Sequence, residues 1–107
     1  MILVVYDRKN HCLTMQGHAC AAEKGQDIVC SAASVLAYTL AASVVNMDKL
    51  GRLENCVVRL DEGDTEINCK PGFAAECVAT LIYDTICAGF ELIAETYPDN
   101  VKYELVI

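Results

Sequence analysis

The residues best suited to chemistry are a histidine and a cysteine separated by a short stretch of small residues. His18 follows Gly17, and Cys30 ends the tetrapeptide DIVC, with ACAAEKGQ at positions 19–26 before it. An imidazole can take the proton of a thiol, and the thiolate that results is a strong nucleophile. The pair therefore suits acyl transfer, which includes hydrolysis of a peptide bond.

Asp27 is expected to begin a helix, because an aspartate before a long apolar segment is a typical N-cap. Cys30 then lies in the first helical turn, where unpaired backbone N–H groups and the helix dipole favour a negative charge on sulfur. The same N–H groups could hold the oxyanion of a tetrahedral intermediate, an interaction worth about 3 kcal/mol per donor. Two roles are open for Asp27, capping the helix or orienting His18, and the cap is favoured.

Ser34 lies one helical turn beyond Cys30, so its hydroxyl either lines the same site or bonds back to the helix backbone. Ser31 is expected to face solvent or a partner. Spacing alone is weak support for catalysis, because cysteine is among the residue types most often buried. At this point a structural role for His18 and Cys30 remains open.

The other cysteines are assigned by the elements in which they fall. Core positions are predicted for those in strand patterns and on the packed stripe of a second helix, which are Cys12, Cys56, Cys69 and Cys77. Cys87 falls off that stripe and is expected to be exposed or at an interface. Cys20 lies in the loop, and His11 lies at a hairpin edge where solvent should reach it.

Composition restricts the class of protein. The 107 residues are predicted to form a single domain, 1–107, and the net charge of −7 disfavours direct binding of nucleic acid. An acidic surface suits a basic protein or peptide partner. The seven cysteines are odd in number and contain no C-x-x-C, and the start MILVVYDRK does not resemble a signal peptide. We therefore expect a reducing, cytoplasmic compartment, with no metal and no cofactor.

Periodicity and turn residues predict an α+β fold of order ββα-ββα-β, with two helices packed on a mostly antiparallel sheet. Strands are predicted at 2–6, 11–16, 56–60, 66–70 and 101–107, and helices at 28–46 and 73–96, with a charged linker over 47–55. The packed stripe of the second helix is predicted to contain Ala74, Cys77, Val78, Leu81, Ile82, Thr85, Gly89, Leu92 and Ile93.

The first predicted helix is apolar over most of its circumference. Residues 28–47 carry no charge, which meets the length of a membrane span, but their serines and alanines make a buried helix the simpler interpretation. We therefore expect no membrane insertion. One sheet covers only one side of such a helix, so a homodimer across it is expected.

The chain resembles a known family at these same residues. Gly17-His18-Ala19, the short loop, and Asp27-Ile28-Val29-Cys30 with Ser34 are similar to the ribosomal-processing cysteine protease family, Prp, and the length and element order match as well. The resemblance implies a small cytoplasmic homodimer. Its expected substrate is large-subunit ribosomal protein twenty-seven, from which it would remove a short N-terminal extension after an aromatic residue.

The resemblance also implies roles for individual residues. His18 would be the general base and Cys30 the nucleophile, with Gly17, Asp27 and Ser34 as supporting site residues. The loop between base and nucleophile is expected to order around the peptide, so His18 and Cys30 can be apart in the unliganded protein. Ser31 and Glu23-Lys24 depart from the family pattern, which weakens inference about substrate preference. The alternatives are a non-catalytic ribosome-assembly or protein-binding module, and a thiol redox sensor with Cys20 as the resolving cysteine.

Overall fold

Five strands form one sheet and two long helices cover one of its faces, within the residues that the computed structural model describes, 1–22 and 27–107. In chain order the elements are β1 (Ile2–Asp7), β2 (Cys12–Gly17), α1 (Ile28–Lys49), β3 (Leu53–Asp61), β4 (Asp64–Pro71), α2 (Glu76–Thr96) and β5 (Val101–Val106), with a 3₁₀ turn at Phe73–Ala75 ahead of α2. The predicted order ββα-ββα-β is confirmed.

The sheet order is β3-β4-β2-β1-β5. Its pairs are antiparallel except β1 with β5, which run parallel with Ile2 opposite Val101. The exception follows from the chain path, because α2 carries the chain back across the sheet before β5 begins. The prediction of a mostly antiparallel sheet is therefore confirmed.

Strand alternation places one set of side chains under the helices. In β1 the buried residues are Ile2, Val4 and Tyr6, and the neighbouring strands add Leu13 and Ile67, both fully buried. α1 covers them with a stripe at helical spacing, which consists of Val29, Ala33, Ala37, Leu40, Ala41, Val44 and Met47. This packing fixes the direction of α1 and hence the place where its first turn meets the sheet.

The predicted charged linker over 47–55 is wrong. α1 continues to Lys49, and Met47 is only 4% exposed because it extends the buried stripe of Leu40 and Val44. Asp48 and Lys49 are compatible with a helix because they lie on its exposed side. The second hairpin is correspondingly longer than predicted, since only Glu62 and Gly63 separate β3 from β4.

The predicted packed stripe of α2 is also wrong. The residues buried against the sheet are Ala79, Tyr83, Cys87 and Phe90, whereas most of the predicted stripe is exposed, namely Ala74, Cys77, Val78, Leu81, Thr85 and Leu92. α2 has two apolar faces, and the face that contains Tyr83 is the one that packs against the sheet. Its hydroxyl donates to the Ile67 carbonyl at 3.1 Å and its ring stacks on Tyr6 at 5.8 Å between centroids.

Because the buried face of α2 is not the predicted one, the predictions for two cysteines are also wrong. Cys77, predicted to be packed, is exposed, and Cys87, predicted to be exposed or at an interface, is 2% exposed. Burial raises the pKa of the Cys87 thiol to about 12. Cys69 is buried as predicted, and Cys12 and Cys56 are partly buried in their strands.

Both helices are long and apolar enough to cross a bilayer when length and composition alone are considered. Core helices of water-soluble domains commonly share these properties. Here each helix packs its buried residues into the core, but these are 33% of the apolar window in α1 and 22% of that in α2.

The predicted exposure of His11 is wrong. His11 is 5% exposed, its Nε2 lies 2.8 Å from the Thr80 hydroxyl, and its ring meets Tyr83 edge-on. Burial lowers the pKa of His11, an effect that nearby Glu76 and Asp84 oppose and Arg8 reinforces. His11 is therefore held neutral, with a left-handed backbone φ of 48° at the end of the β1–β2 turn.

Stability should consequently decline on mild acidification. As the pH is lowered through 6.5, the ordinary pKa of histidine, His11 is protonated in the unfolded chain but not in the folded one. The free energy of unfolding therefore decreases as the pH is lowered, until the pH reaches the lower pKa of His11 in the folded chain. Urea denaturation at pH about 7.5 and about 5.5 measures this difference. His11→Asn, which tolerates a positive φ, should flatten the dependence.

His18→Asn is the matched control, since His18 is exposed. It should leave the pH dependence of unfolding close to that of the unmodified chain. An equal flattening in both variants would contradict the assignment to His11.

Candidate active site

The end of β2, the first turns of α1 and the β3–β4 turn meet around an open cleft of about 730 Å³. A cleft of this size falls in the range of ligand-binding pockets. All five residues predicted for the site line it: Gly17, His18, Asp27, Cys30 and Ser34. The structure also adds lining residues from outside that set, among them Cys20, Tyr38, Leu60, Asp61, Glu62 and Gly63.

Asp27 organises the helix end of the cleft. Its Oδ1 accepts the backbone N–H groups of Val29 and Cys30, each at 3.0 Å, and its Oδ2 accepts that of Ala21 at 3.0 Å. These bonds, with that from Cys30 foremost, hold the pKa of the Asp27 carboxyl below its usual value. A single carboxylate thus caps α1 and ties the incoming chain to the helix.

Of the two roles left open for Asp27, the structure displays the cap. Both carboxylate oxygens are engaged by backbone N–H groups, and none of the described contacts joins them to His18. The same bonds correct the expectation for the oxyanion. The N–H groups of Val29 and Cys30 are taken by Asp27, and that of Ser31 bonds to the Asp27 carbonyl at 3.1 Å. The first turn of α1 does not offer these three donors to a substrate.

A different backbone group contacts the Cys30 sulfur. The N–H of Ala19 donates to Sγ at 3.3 Å, and Cys30 itself is partly buried. An N–H donor stabilises negative charge on sulfur. The carbonyl of Ala19 is in turn held by Asn100, whose side-chain amide donates to it at 2.8 Å. A residue of the α2–β5 turn therefore fixes the backbone that contacts the thiol.

His18 lies on the opposite side, against the β3–β4 turn. The Gly17 N–H donates to the Gly63 carbonyl at 2.9 Å, which joins the end of β2 to that turn. A Cβ placed on Gly63 would lie 2.8 Å from Nε2 of His18, so the ring rests where Gly63 has no side chain. A Cβ on Gly17 would collide with the Met1 carbonyl.

His18 and Cys30 are brought into one cleft but are not bonded to each other. The His18 ring is exposed, and the described contacts of Cys30 do not include it. The approach of the two side chains when a peptide binds therefore stays a prediction. The loop that is expected to order around a peptide lies partly outside the described residues. Glu23-Lys24, where the sequence departs from the family pattern, lies wholly outside them.

Both serines line the cleft, Ser31 is exposed as expected, and the two differ in their hydrogen bonds. Ser31 lines the cleft and its hydroxyl bonds back to the Asp27 carbonyl at 3.1 Å, which is the bond considered for Ser34. Ser34 lines the cleft, and across residues 1–22 and 27–107 its hydroxyl has no hydrogen-bond partner. Its hydroxyl therefore faces the space that a ligand would occupy.

The charged groups of the cleft are acidic. Asp27, Asp61 and Glu62 line it, and no lysine or arginine is among its described lining residues. The described part of the chain contains no cluster of three His, Cys, Asp or Glu side chains suited to hold a metal ion. The cleft therefore favours a ligand with positive charge nearby.

Asn100 and Gly63 are the site residues that sequence reasoning missed. Asn100 lies 81 positions from the carbonyl that it holds, and its local sequence, Pro98-Asp99-Asn100, predicts only the end of a helix. Gly63 lies in the segment between the predicted strands 56–60 and 66–70, and no pattern in the sequence connects that segment with His18. The sheet order, with β4 beside β2, makes this connection.

Comparison with known proteins identifies the family. A family model described as Cysteine protease Prp matches residues 1–102. Among solved structures, an essential ribosomal processing protease Prp from S. aureus, in complex with a covalently linked product peptide, has a TM-score of 0.78 at 24% identity, with 98% of this chain and 99% of that chain covered. A comparison with curated protein sequences finds no match.

Two further structures share the fold. A protein from Streptococcus mutans has a TM-score of 0.69 at 21% identity, covering 98% of this chain and 91% of that one. The S. aureus Prp in complex with a substrate peptide has a TM-score of 0.68 at 21% identity, covering 97% and 96%. At these identities the structures support the fold, and the family model carries the identification.

The match makes the chain a cysteine protease. It extends over nearly the whole length, so it includes the cleft and each element that surrounds it. The chain belongs to the family described as Cysteine protease Prp.

A pair of glycine variants tests whether the β3–β4 turn positions His18. Gly63 and Gly51 have φ angles of 70° and 71°, but only at Gly63 would a Cβ meet His18, since nothing lies within 4 Å at Gly51. Both alanine substitutions carry a similar backbone cost of about 1–2 kcal/mol. If His18 is the general base, Gly63→Ala should in addition lower peptidase activity at least about tenfold, because a misplaced catalytic group is costly. Equal activities in the two variants would contradict this role.

Asn100→Asp tests the support of Ala19. The change replaces an N–H donor by an acceptor facing the Ala19 carbonyl, so the Ala19 N–H should withdraw from the Cys30 sulfur. Alkylation of Cys30 by iodoacetamide should slow about fivefold near pH 7, the equivalent of one lost hydrogen bond, and its pH–rate curve should move to higher pH. Asn55→Asp, at an exposed position of β3, is the control for added charge. An unmoved curve in Asn100→Asp would contradict the role of Asn100.

Proposed function

We propose that this cysteine protease removes the short N-terminal extension of large-subunit ribosomal protein twenty-seven in the cytoplasm, with Cys30 as nucleophile and His18 as general base. The observation that supports it most directly is the convergence of His18 and Cys30 on one cleft, with the Ala19 N–H on the sulfur. The S. aureus Prp structures bear the description of ribosomal processing and contain a substrate or product peptide.

The proposed reaction uses groups already present in the cleft. When a peptide docks, the His18 ring moves from the Gly63 surface to hydrogen-bond distance of Sγ and takes its proton. The thiolate attacks the scissile carbonyl, and His18 returns the proton to the departing amine, which leaves an acyl-enzyme on Cys30. Water, deprotonated by His18, then attacks the thioester and releases the acid and the thiol.

Charge supports a basic substrate. The chain has a net charge of −7, and Asp61 and Glu62 line the mouth of the cleft at the β3–β4 turn. A ribosomal protein has a basic body because it binds ribosomal RNA, so its approach should be favoured electrostatically. The apolar lining residues Tyr38 and Leu60 offer contact surface for an aromatic side chain beside the cleaved bond.

A homodimer is the proposed assembly. The outer faces of the helices leave large apolar residues exposed, among them Val35, Tyr38, Leu81 and Leu92, at 57–67%. Large apolar side chains exposed on helix surfaces in this number are typical of a protein interface. Tyr38 also lines the cleft, so a partner seated on α1 would border the substrate site.

Cleavage of a peptide that spans the precursor junction tests the function. Cys30→Ala should abolish cleavage, and His18→Ala should lower kcat/KM by at least about 100-fold, because general-base catalysis contributes 10²–10⁴-fold. Cys77→Ser and His11→Asn are matched controls at a cysteine and a histidine outside the cleft, and they should retain cleavage. Undiminished cleavage by Cys30→Ala would refute the mechanism, and no cleavage by the unaltered chain would favour the binding-module alternative.

Disruption of the helix face tests the assembly. Val35→Glu places a charge within the exposed apolar surface of α1 and should convert the dimer to a monomer, since an unpaired charge in an interface is costly. Light scattering after size exclusion gives the mass directly. Val57→Glu, at an exposed apolar position on β3, is the control and should remain dimeric. A monomeric unaltered chain at micromolar concentration would contradict the assembly.

A further inference from the structure

A second thiol lies in the cleft beside Cys30. Cys20 is exposed and lines the same cavity as Cys30 and His18. Among the cysteines, all seven of which are free thiols in the described residues, only these two line that cavity. The mechanism above gives Cys20 no role.

The backbone contact at Ala19 sets the distance between the two cysteines. Ala19 N lies 3.3 Å from the Cys30 sulfur, and Cys20 is the next residue. With standard bond lengths, the Cα of Cys20 therefore lies no more than about 8.5 Å from that sulfur. Rotation of the exposed Cys20 side chain shortens the separation of the two sulfurs. Any backbone movement that closes the remainder falls on residues 19–21, which the bonds from Asn100 to Ala19 and from Ala21 to Asp27 hold.

The other thiols are poor competitors. Burial raises the pKa values of Cys12, Cys56, Cys69 and Cys87, which disfavours their thiolates, and none of these four cysteines lines the cleft. Cys77 is exposed on α2 but does not line the cleft. Cys20 is therefore the thiol best placed to react with an oxidised Cys30.

We propose that Cys20 and Cys30 form a reversible disulfide that switches the protease off under peroxide stress. The inference rests on the proposed role of Cys30 as nucleophile. The Cys30 thiolate attacks hydrogen peroxide, which breaks the O–O bond, gives a sulfenic acid and releases hydroxide. The Cys20 thiolate then attacks that sulfur, and the S–S bond forms as a second hydroxide leaves. The two thiolates together lose two electrons, and the peroxide accepts these two electrons.

The disulfide would have two effects on the site. It removes the nucleophile, so peptide cleavage stops. It also protects Cys30 from further oxidation to the sulfinic acid, which ordinary thiol reductants do not reverse. A dithiol reductant restores both thiols by exchange.

The experiment uses the full chain with Cys77→Ser to suppress disulfides between molecules. Reduced protein is first assayed for peptide cleavage, then treated with hydrogen peroxide and assayed again before and after dithiothreitol. We expect activity to disappear and to return fully, with an intact mass lower by two hydrogen atoms and a tryptic peptide linking Cys20 to Cys30. Adding Cys20→Ser should make recovery incomplete, relative to that variant's own reduced activity, and dimedone should then label Cys30.

Three results would overturn the inference: no linked peptide, a linked peptide that joins Cys30 to another cysteine, or equal recovery with and without Cys20→Ser. Absence of cleavage by the reduced protein would instead count against the proposed function. In that case the linked peptide still decides whether the two thiols pair, so the two failures are distinguishable.

Discussion

The carboxylate of Asp27 is the interaction on which the rest of the site depends. By accepting the N–H groups of Val29 and Cys30 it sets where α1 begins, and by accepting that of Ala21 it anchors the chain that returns from His18. The position of the thiol thus follows from a helix cap. The same bonds occupy the donors that a helix N-terminus would otherwise offer to an anion, so the backbone donor that contacts the Cys30 sulfur is the Ala19 N–H.

The sheet brings together parts of the site that are distant in sequence. Because β4 pairs with β2, the β3–β4 turn lies beside the end of β2, and Gly63 gives His18 a surface without a side chain. Because β5 pairs with β1, the α2–β5 turn lies near Ala19, where Asn100 holds its carbonyl. Cys30 and His18 are therefore supported by separate elements, and the proposed mechanism moves the His18 ring while the Cys30 sulfur stays in place.

Local patterns in the sequence predicted the element order and five of the residues that line the cleft. Asp27 could be recognised as a cap because its type and its position before an apolar segment are sufficient. The buried face of α2 could not be predicted, because two of its faces are apolar. The contact that distinguishes them, from the Tyr83 hydroxyl to the Ile67 carbonyl, joins two separate elements. His11 was misplaced for a related reason, because its partner Thr80 comes from another element. Asn100 acts over 81 positions, a distance at which sequence spacing carries no signal.

The central claim is that His18 approaches the Cys30 sulfur when a peptide occupies the cleft that Asp27 and Ala19 prepare. A crystal structure of Cys30→Ser with an uncleaved precursor peptide measures this directly. We expect a ring nitrogen of His18 within about 3.5 Å of the introduced hydroxyl, with the three Asp27 bonds intact. A fully occupied peptide with the ring still resting on Gly63, away from that hydroxyl, would contradict it.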